Sequence, residues 1–381
     1  MRLDSGFYRN NIVRIQERLK ADGLDGILLL KPHNVYYGVG FFHQPTERPV
    51  GAYIPVDDDP VLLIPELEIE EVEPHWVEDV RTYFEYPGVI HPLVWMLNEV
   101  GSENLAVDDV SKTAFDLMSS AQPGLGVSGI VDEMRMTKTS QEIAVLRVAA
   151  DYGDQAVDVS RRCAAEGLSE IDVHRRTVAT ITQRMQTDLP EIVNANVGLL
   201  NGSVVYGERA ALPHGQLTHG LPKGGDTVIF GWGVWVGGYS IESERTLIVG
   251  EPTAEQREFF AVMREAQRAA LDAIKPGVTC SHVDDRALSV IRKAGLSKYI
   301  RHRTGHGRGL EGHEPPWLDA GDKTVLEPGM VITVEPGIYV AGKGGYRHSD
   351  TVVVTEKGVE SLTAYPREIE NCIIQLDQKL L

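Results

Sequence analysis

In the first 130 residues, segments whose apolar residues have helical spacing alternate with short apolar runs typical of strands. In residues 8–22 the apolar side chains of Ile12, Ile15 and Leu19 recur on one helical face, and Gly23 is a typical helix end. Short apolar runs, which predict buried strands, follow at 25–30, 61–65 and 105–108. Helices are predicted between them at 92–100 and 112–120. This alternation predicts an α/β domain over residues 1–131.

The rest of the chain, residues 132–381, opens its predicted helices with polar capping residues. Thr139 with Glu142 forms a capping-box pattern, and Ser169 and Thr253 begin two further helices in a similar way. A fourth helix is predicted from residue 281 to residue 294. Strands are predicted at 191–198, 203–207, 227–230, 239–249, 330–335 and 350–355. Helices that flank a mainly antiparallel set of strands predict an α+β domain.

The strand predicted at 239–249 has an unusually polar face. Side chains alternate along a strand, so Ser240, Glu242, Glu244 and Thr246 lie on the same side. Such a face either borders solvent at a sheet edge or lines a polar cavity. The histidine- and acid-bearing segments further along the chain favour the cavity.

Composition narrows the class of protein. The net charge of −18 argues against a nucleic-acid scaffold. No apolar run reaches the length of a membrane span, and the first residues lack an apolar signal core, so a cytoplasmic location is expected. Three widely spaced cysteines indicate neither a disulfide framework nor a thiolate metal site: Cys163, Cys280 and Cys372.

Four short segments place histidines or acids beside glycines. They are ALPHG at 211–215, GHGRGLEGHEP at 305–315, TVEPG at 333–337 and GYRHSDT at 345–351. The spacing of Gly307, Gly309 and Gly312 formally matches a dinucleotide-binding fingerprint. We reject that interpretation because no strand precedes these glycines and no helix follows them.

Together these motifs resemble the creatinase/Xaa-Pro peptidase family over essentially the whole chain. The resemblance implies an α/β N-terminal domain and a pita-bread catalytic domain. Peptidases of the family hold two divalent metals with five side chains. The matching positions here are Gly231, Glu242, His306, Glu335 and Ser349. Glycine has no donor and serine is a poor ligand, so the resemblance implies that the paired metal centre is incomplete.

Without a metal, the carboxylates of Glu242, Glu244 and Glu335 would face one another and repel. A guanidinium or ammonium substrate would relieve that repulsion. The segment Ser243–Thr246 also resembles a creatinase segment, which makes Glu244 a catalytic acid by resemblance. The expectation is therefore a hydrolase without a metal cofactor that cleaves a C–N bond in a small cationic, amidine or amide substrate.

The resemblance also assigns roles to individual residues. His214 matches the histidine that transfers protons in creatinase, and His306 and His313 are the other pocket histidines. Arg347 is expected to orient a carboxylate and Glu242 to bind substrate. His348 should point away from Ser349 along the strand, and its role is left open.

The segment from Asn34 to Pro49 resembles the part of creatinase whose arginine reaches the partner subunit's active site. This resemblance implies a homodimer in which Arg48 contacts substrate across the interface.

Two alternatives remain. Glu242, His306 and Glu335 are enough to hold one divalent metal, Mn or Zn, in an Xaa-Pro aminopeptidase or dipeptidase, because three protein ligands plus water suffice for catalysis. The other alternative is a catalytically inactive pita-bread domain that only binds a partner. Retention of the polar residues of the pocket argues against it. The sequence does not distinguish a guanidino compound, another small amide or an Xaa-Pro peptide as the substrate.

Overall fold

The computed structural model describes residues 3–72, 75–189 and 200–377. The strand predicted at 191–198 lies outside these residues. The chain divides into two units, with Arg135 ending the first and Met136 beginning the second. None of the described helices is both long enough and apolar enough to span a bilayer.

The N-terminal unit is an α/β domain built on one mixed sheet of six strands. Its helices are α1 (Ser5–Asp22), α2 (Pro32–Val39), α3 (Ile69–Val72), α4 (Pro92–Val100) and α5 (Lys112–Ala121), and α6 (Ile130–Met136) leads to the second unit. Its strands are β1 (Gly26–Leu29), β2 (Gly51–Pro55), β3 (Val61–Pro65), β4 (Asp79–Tyr83), β5 (Leu105–Val107) and β6 (Gly126–Val127). The strand order is β4-β3-β2-β1-β5-β6.

Local sequence signals fix the helix ends of this unit. Asp4 caps α1 by accepting a hydrogen bond from the Phe7 amide, and Gly23 ends it with a φ of 70°. On one face of the sheet, the apolar side of the strands packs against α4 and α5, with Leu28, Met96 and Met118 fully buried. These contacts give the unit its own hydrophobic core.

The second unit is an α+β domain with a long antiparallel sheet. Its helices are α7 (Ser140–Ala165), α8 (Glu170–Asp188), α9 (Ala254–Ala273) and α10 (Cys280–Lys293). Its strands are β7 (Leu200–Tyr206), β8 (Thr227–Val236), β9 (Tyr239–Val249), β10 (Gly305–Gly307), β11 (Glu314–Leu318), β12 (Val331–Val334), β13 (Gly337–Val340), β14 (Gly344–Arg347), β15 (Ser349–Thr355), β16 (Gly358–Ser361) and β17 (Ile373–Ile374). The main path through the sheet is β11-β10-β12-β15-β9-β8-β7, while β13 and β14 form a separate ribbon.

The capping patterns read from the sequence are present. Thr139 and Glu142 form a complete capping box at α7, and Thr253 and Gln256 form another at α9. Ser169 accepts a hydrogen bond from the Asp172 amide at the start of α8. Each predicted helix of this unit therefore begins within one residue of its expected position.

The β8–β9 hairpin is longer than the sequence suggested. β8 was expected to end at residue 230, but it continues through Gly231 and Gly233 to Val236. These glycines stay in the ladder because Gly231 pairs with Glu244 and Gly233 with Glu242. The turn instead falls at Gly237 and Gly238, which both adopt positive φ.

The two faces of β9 meet different surroundings. On one face Ser243 donates a hydrogen bond to Asp154 of α7, and Tyr239 donates one to Glu142. A side chain at Gly153 would collide with Ile241, so α7 lies very close to this face. The opposite face, with Glu242 and Glu244, is left for the cavity.

Candidate active site

The centre of the site is a row of residues across three neighbouring strands. Gly231 on β8 and Ser349 on β15 both pair with Glu244 on β9. Directly opposite residues in an antiparallel sheet lie on the same face, and of these three Gly231 and Glu244 line the cavity. A Cβ at Gly231 would collide with the Glu244 carboxylate. Glu244 therefore occupies the space that a larger residue at position 231 would need.

Glu244 forms a buried ion pair with Arg347 of β14. Arg347 Nε donates to Glu244 Oε1, and Nη2 donates to Oε2 at 2.7 Å. Burial raises the pKa of Glu244 to about 7, although the Arg347 guanidinium opposes that shift. Arg347 Nη1 also donates to the Tyr339 hydroxyl at 2.8 Å, which lies 2.7 Å from His302 Nε2. This chain of contacts fixes the position of the carboxylate.

The carboxylate of Glu242 lies beside a second buried arginine. Arg308 is buried, and its Nη2 lies 3.3 Å from Glu242 Oε2 and donates to the Ile241 carbonyl at 2.8 Å. Arg308 Nη1 donates to the Gly312 carbonyl. The expectation that the pocket carboxylates repel one another without compensation is wrong, because buried guanidinium groups lie beside both Glu242 and Glu244.

His306, His313 and Glu242 form a group that can hold a metal ion. One ligand atom from each lies within 4.8 Å of the others, and the two imidazole rings are 3.9 Å apart between centroids. Burial and the nearby His306 lower the pKa of His313 to about 4, so its ring is neutral at pH 7. A neutral imidazole has the lone pair that metal coordination requires.

The hydrogen bonding of His306 also supports metal binding by this group. Its Nδ1 lies 3.0 Å from the Gly307 carbonyl, so Nδ1 carries the proton in the neutral ring. Nε2 is buried without an aligned hydrogen-bond partner among the residues that the structure describes. It lies 3.2 Å from Glu335 Oε1. Burial raises the pKa of Glu335, whereas the adjacent His306, when it is protonated, lowers that pKa well below its usual range. In the neutral ring, the Nε2 lone pair and the Glu335 carboxylate face each other, and two such groups are a fitting environment for a cation.

The three carboxylates and two histidines described above line one cavity of about 1310 Å³. The residues predicted for the site that it brings together are His214, Glu242, Glu244, His306, His313, Glu335 and Arg347. His214 follows Pro213, whose carbonyl accepts a hydrogen bond from Arg347 Nη1 at 3.4 Å. The cavity also contains Arg308, His302 and Trp235, which the sequence reasoning missed. Arg308 had a signal, because it lies two residues from His306 in a strand-like segment.

Three other residues singled out in the sequence do not line this cavity. His348 is buried on the far side of its strand, where Nδ1 accepts a hydrogen bond from the Thr246 amide at 3.1 Å. The Ser349 hydroxyl is buried and has no hydrogen-bond partner within the described part of the chain. Arg48 belongs to the N-terminal unit, where it pairs with Glu47 and Glu85. Its contact with a partner subunit, and the homodimer itself, stay predictions.

Comparisons with known proteins agree with this architecture. The family model described as "Metallopeptidase family M24" matches residues 144–356, and the model "Creatinase/Prolidase N-terminal domain" matches residues 12–137. An Xaa-Pro dipeptidase of Pyrococcus furiosus is 32% identical over 362 residues, which are 95% of this chain and 99% of that protein.

Solved structures give the same picture. Dipeptidase PepE from Mycobacterium ulcerans superposes with a TM-score of 0.87 at 28% identity, covering 99% of this chain and 100% of that one. The Xaa-Pro dipeptidase from Bacillus anthracis superposes with a TM-score of 0.82 at 28% identity, covering 97% of this chain and 100% of that one.

The expectation of a site without a metal cofactor is wrong. The chain matches a metallopeptidase family over its catalytic unit, and Glu242, His306 and His313 present metal-ligating atoms to one point. The comparisons also favour the peptidase alternative over the creatinase-like hydrolase, because the relatives described above are dipeptidases. Reasoning from Gly231 and Ser349 failed because it counted the lost donors and did not consider that His313 lies close enough to Glu242 and His306 to share a metal ion with them.

Proposed function

Because the chain belongs to metallopeptidase family M24, we propose that it hydrolyses the peptide bond of short Xaa-Pro substrates with the help of a divalent metal. The observation that carries the proposal is the convergence of Glu242, His306 and His313, with His306 Nε2 buried and without an aligned hydrogen bond among the described residues. The substrate class comes from the relatives named Xaa-Pro dipeptidase.

The metal would be held by Glu242, His306 and His313, with the carboxylate of Glu335 beside His306. A bound divalent metal supplies Lewis-acid polarisation of the scissile carbonyl and an acidified water. Arg308 and Gly307 act on the ligands themselves: Arg308 steadies the Glu242 carboxylate, and the Gly307 carbonyl fixes the His306 tautomer. Outer contacts of this kind orient metal ligands and tune their basicity.

The remaining residues position the substrate and move protons. Arg347 holds the Glu244 carboxylate on the cavity face of β9, where it can accept a proton from the attacking water. His214 lies open to the cavity and is assigned the delivery of a proton to the leaving proline nitrogen. The resemblance to creatinase gave His214 a proton-transfer role, and the proposal keeps that role with a peptide bond as the bond that is cleaved.

Removal of the metal tests the proposal. Dialysis against a chelator should abolish hydrolysis of an Xaa-Pro dipeptide, because the ligands alone cannot polarise the carbonyl, and added Mn²⁺ should restore it. Activity and bound metal are measured on the same samples, by amino-acid release and by elemental analysis. A guanidino compound serves as the comparison substrate. Full hydrolysis after complete removal of metal, or turnover of the guanidino compound alone, would contradict the proposal.

The role of His214 is tested by substitution. His214→Ala should lower kcat by about 10²-fold and leave KM nearly unchanged, because the lost group acts on the leaving nitrogen. We expect the lower end of the usual range for a proton-transfer residue, since the imidazole is exposed and water can partly replace it. His219→Ala, an exposed histidine five residues further on, is the matched control. A His214→Ala enzyme with normal kcat refutes the role.

A further inference from the structure

A single buried carboxylate contacts both ends of the loop that carries His214. Glu170 is the first residue of α8, and only 1% of its side chain is exposed. Its Oε1 accepts a hydrogen bond from the Tyr206 amide at 2.9 Å, and its Oε2 accepts one from the Thr218 amide at 2.7 Å. Residues 207–218, which begin directly after the first amide and end at the second, form the His214 loop. Glu170 therefore holds the two ends of this loop together.

Two side chains of the His214 loop also donate to the Glu170 carboxylate. Arg209 Nη1 lies 2.7 Å from Oε1 and 2.6 Å from Oε2, and the Thr218 hydroxyl donates to Oε2 at 2.7 Å. Arg209 Nη2 donates to the Gln216 carbonyl, which lies inside the loop. Hydrogen bonds that involve an ionised group are stronger than those between neutral groups. The carboxylate thus fixes the interior of the loop as well as its ends.

The cavity side of the His214 loop lies against β14. A Cβ at Gly345 of β14 would collide with the Ala210 carbonyl, so strand and loop are in close contact. Arg347, at the end of β14, donates to the Pro213 carbonyl at 3.4 Å. The His214 side chain itself is exposed and lines the cavity. Its direction is therefore set by the backbone of the loop more than by packing around the ring.

We propose that Glu170 is a positioning residue that fixes the His214 loop and thereby holds the His214 imidazole where it can deliver a proton to the leaving nitrogen. The inference rests on the proposed function, since it takes up the role assigned there to His214. Glu170 acts only through the loop, because its carboxylate is buried beneath the loop and is not part of the cavity lining. Catalysis depends on such supporting contacts because a small displacement of a reacting group lowers the rate steeply.

The first variant is Glu170→Gln, which keeps the size of the side chain. Backbone amides donate to both carboxylate oxygens, so the new NH₂ group faces an N–H donor whichever way it is turned. The loop should therefore shift, and kcat for an Xaa-Pro dipeptide should fall by about 10-fold with a smaller change in KM. Thr218→Val removes one hydrogen bond to the carboxylate and should lower kcat by about 2–5-fold without a threat to folding.

Glu142→Gln is the matched control. Glu142 is also 1% exposed and lies in the first turn of a helix, where its carboxylate accepts from the Thr139 amide and the Tyr239 hydroxyl. The same substitution there should lower the stability of the fold and leave kcat unchanged. A second control is the His214→Ala background, in which Glu170→Gln and Thr218→Val should have no further effect on kcat.

Hydrogen exchange followed by mass spectrometry measures the loop without any substrate. Exchange in a peptide that covers residues 206–218 should become about 10-fold faster in Glu170→Gln, because the Tyr206 and Thr218 amides lose their acceptor. Exchange in α10, which does not contact Glu170, should stay the same. Faster exchange throughout the catalytic unit would instead indicate a general loss of stability.

Three results would each overturn the assignment: unchanged exchange at 206–218 in Glu170→Gln, an equal loss of kcat in Glu142→Gln, or a loss of kcat by Glu170→Gln that persists in full in the His214→Ala background. The exchange measurement does not depend on activity. If exchange rises as expected and the natural Mn²⁺-loaded enzyme cleaves no Xaa-Pro dipeptide, the proposed function fails and the control of the loop by Glu170 stands, so the two failures are distinguishable.

Discussion

Replacing His306 by alanine is expected to lower kcat/KM for an Xaa-Pro dipeptide by on the order of 10⁴-fold. The imidazole is the most deeply buried member of the metal-binding group, and its Nε2 faces the Glu335 carboxylate at 3.2 Å. Without it, the remaining ligands cannot hold the metal that polarises the carbonyl. The loss should appear in kcat and in the amount of metal bound.

Elemental analysis of the purified variant measures this directly and does not depend on activity. His306→Ala should contain far less metal than the natural protein at equal exposure to Mn²⁺. His282→Ala, on the exposed side of α10, is the matched histidine control and should bind metal normally. A His306→Ala protein that retains its full metal content would show that other residues form the centre.

The second large effect concerns stability. Lys138→Met is expected to destabilise the catalytic unit by about 3–5 kcal/mol, because it removes a buried cation that lies against the buried Glu314 carboxylate. Lys138 Nζ and Glu314 Oε1 are 2.6 Å apart, with 1% and 3% of the side chains exposed. Glu314 also accepts a hydrogen bond from the Glu311 amide at 3.2 Å, so the pair stabilises the loop that carries His313.

The measurement is chemical unfolding followed by far-ultraviolet circular dichroism. Lys343→Met is the matched control, since Lys343 pairs with Glu255 at a site where about half of each side chain is exposed. Exposed pairs contribute about 0–1 kcal/mol. Equal losses in both variants would contradict the explanation from burial. A second variant, Lys138→Met with Glu314→Gln, should recover part of the stability because both charges of the buried pair are then removed together.

Part of the site was predictable because short-range rules place the side chains. Alternation along a strand put Glu242 and Glu244 on one face, and the structure has both in the cavity. The same rule separates His348 from Ser349. The capping patterns at Thr139 and Thr253 fixed helix starts, because the hydrogen bonds involved span only three residues.

The predictions from local patterns failed where strand pairing or side-chain packing determined the secondary structure. The predicted β8 ended at residue 230 because glycine normally weakens strands. In the structure, a side chain at Gly231 would collide with the Glu244 carboxylate, and one at Gly233 would crowd the Trp235 ring. The helix α2 and the strands β2 and β4 were missed, since short elements in the N-terminal unit carry little periodicity of their own.

The sequence by itself determined the two domains, the motifs that indicate the family, and the carboxylates and histidines of the cavity. Only the tertiary structure decided how their charges are arranged. Arg347 meets Glu244 across 103 residues of chain, and Arg308 meets Glu242 across 66. Such pairings depend on strand register and loop paths, which no local pattern encodes, whereas side-chain alternation and helix capping act within a few residues. For that reason the sequence identified the chemical groups, and the fold determined that three of them lie close enough to hold a metal ion, beside compensated carboxylates.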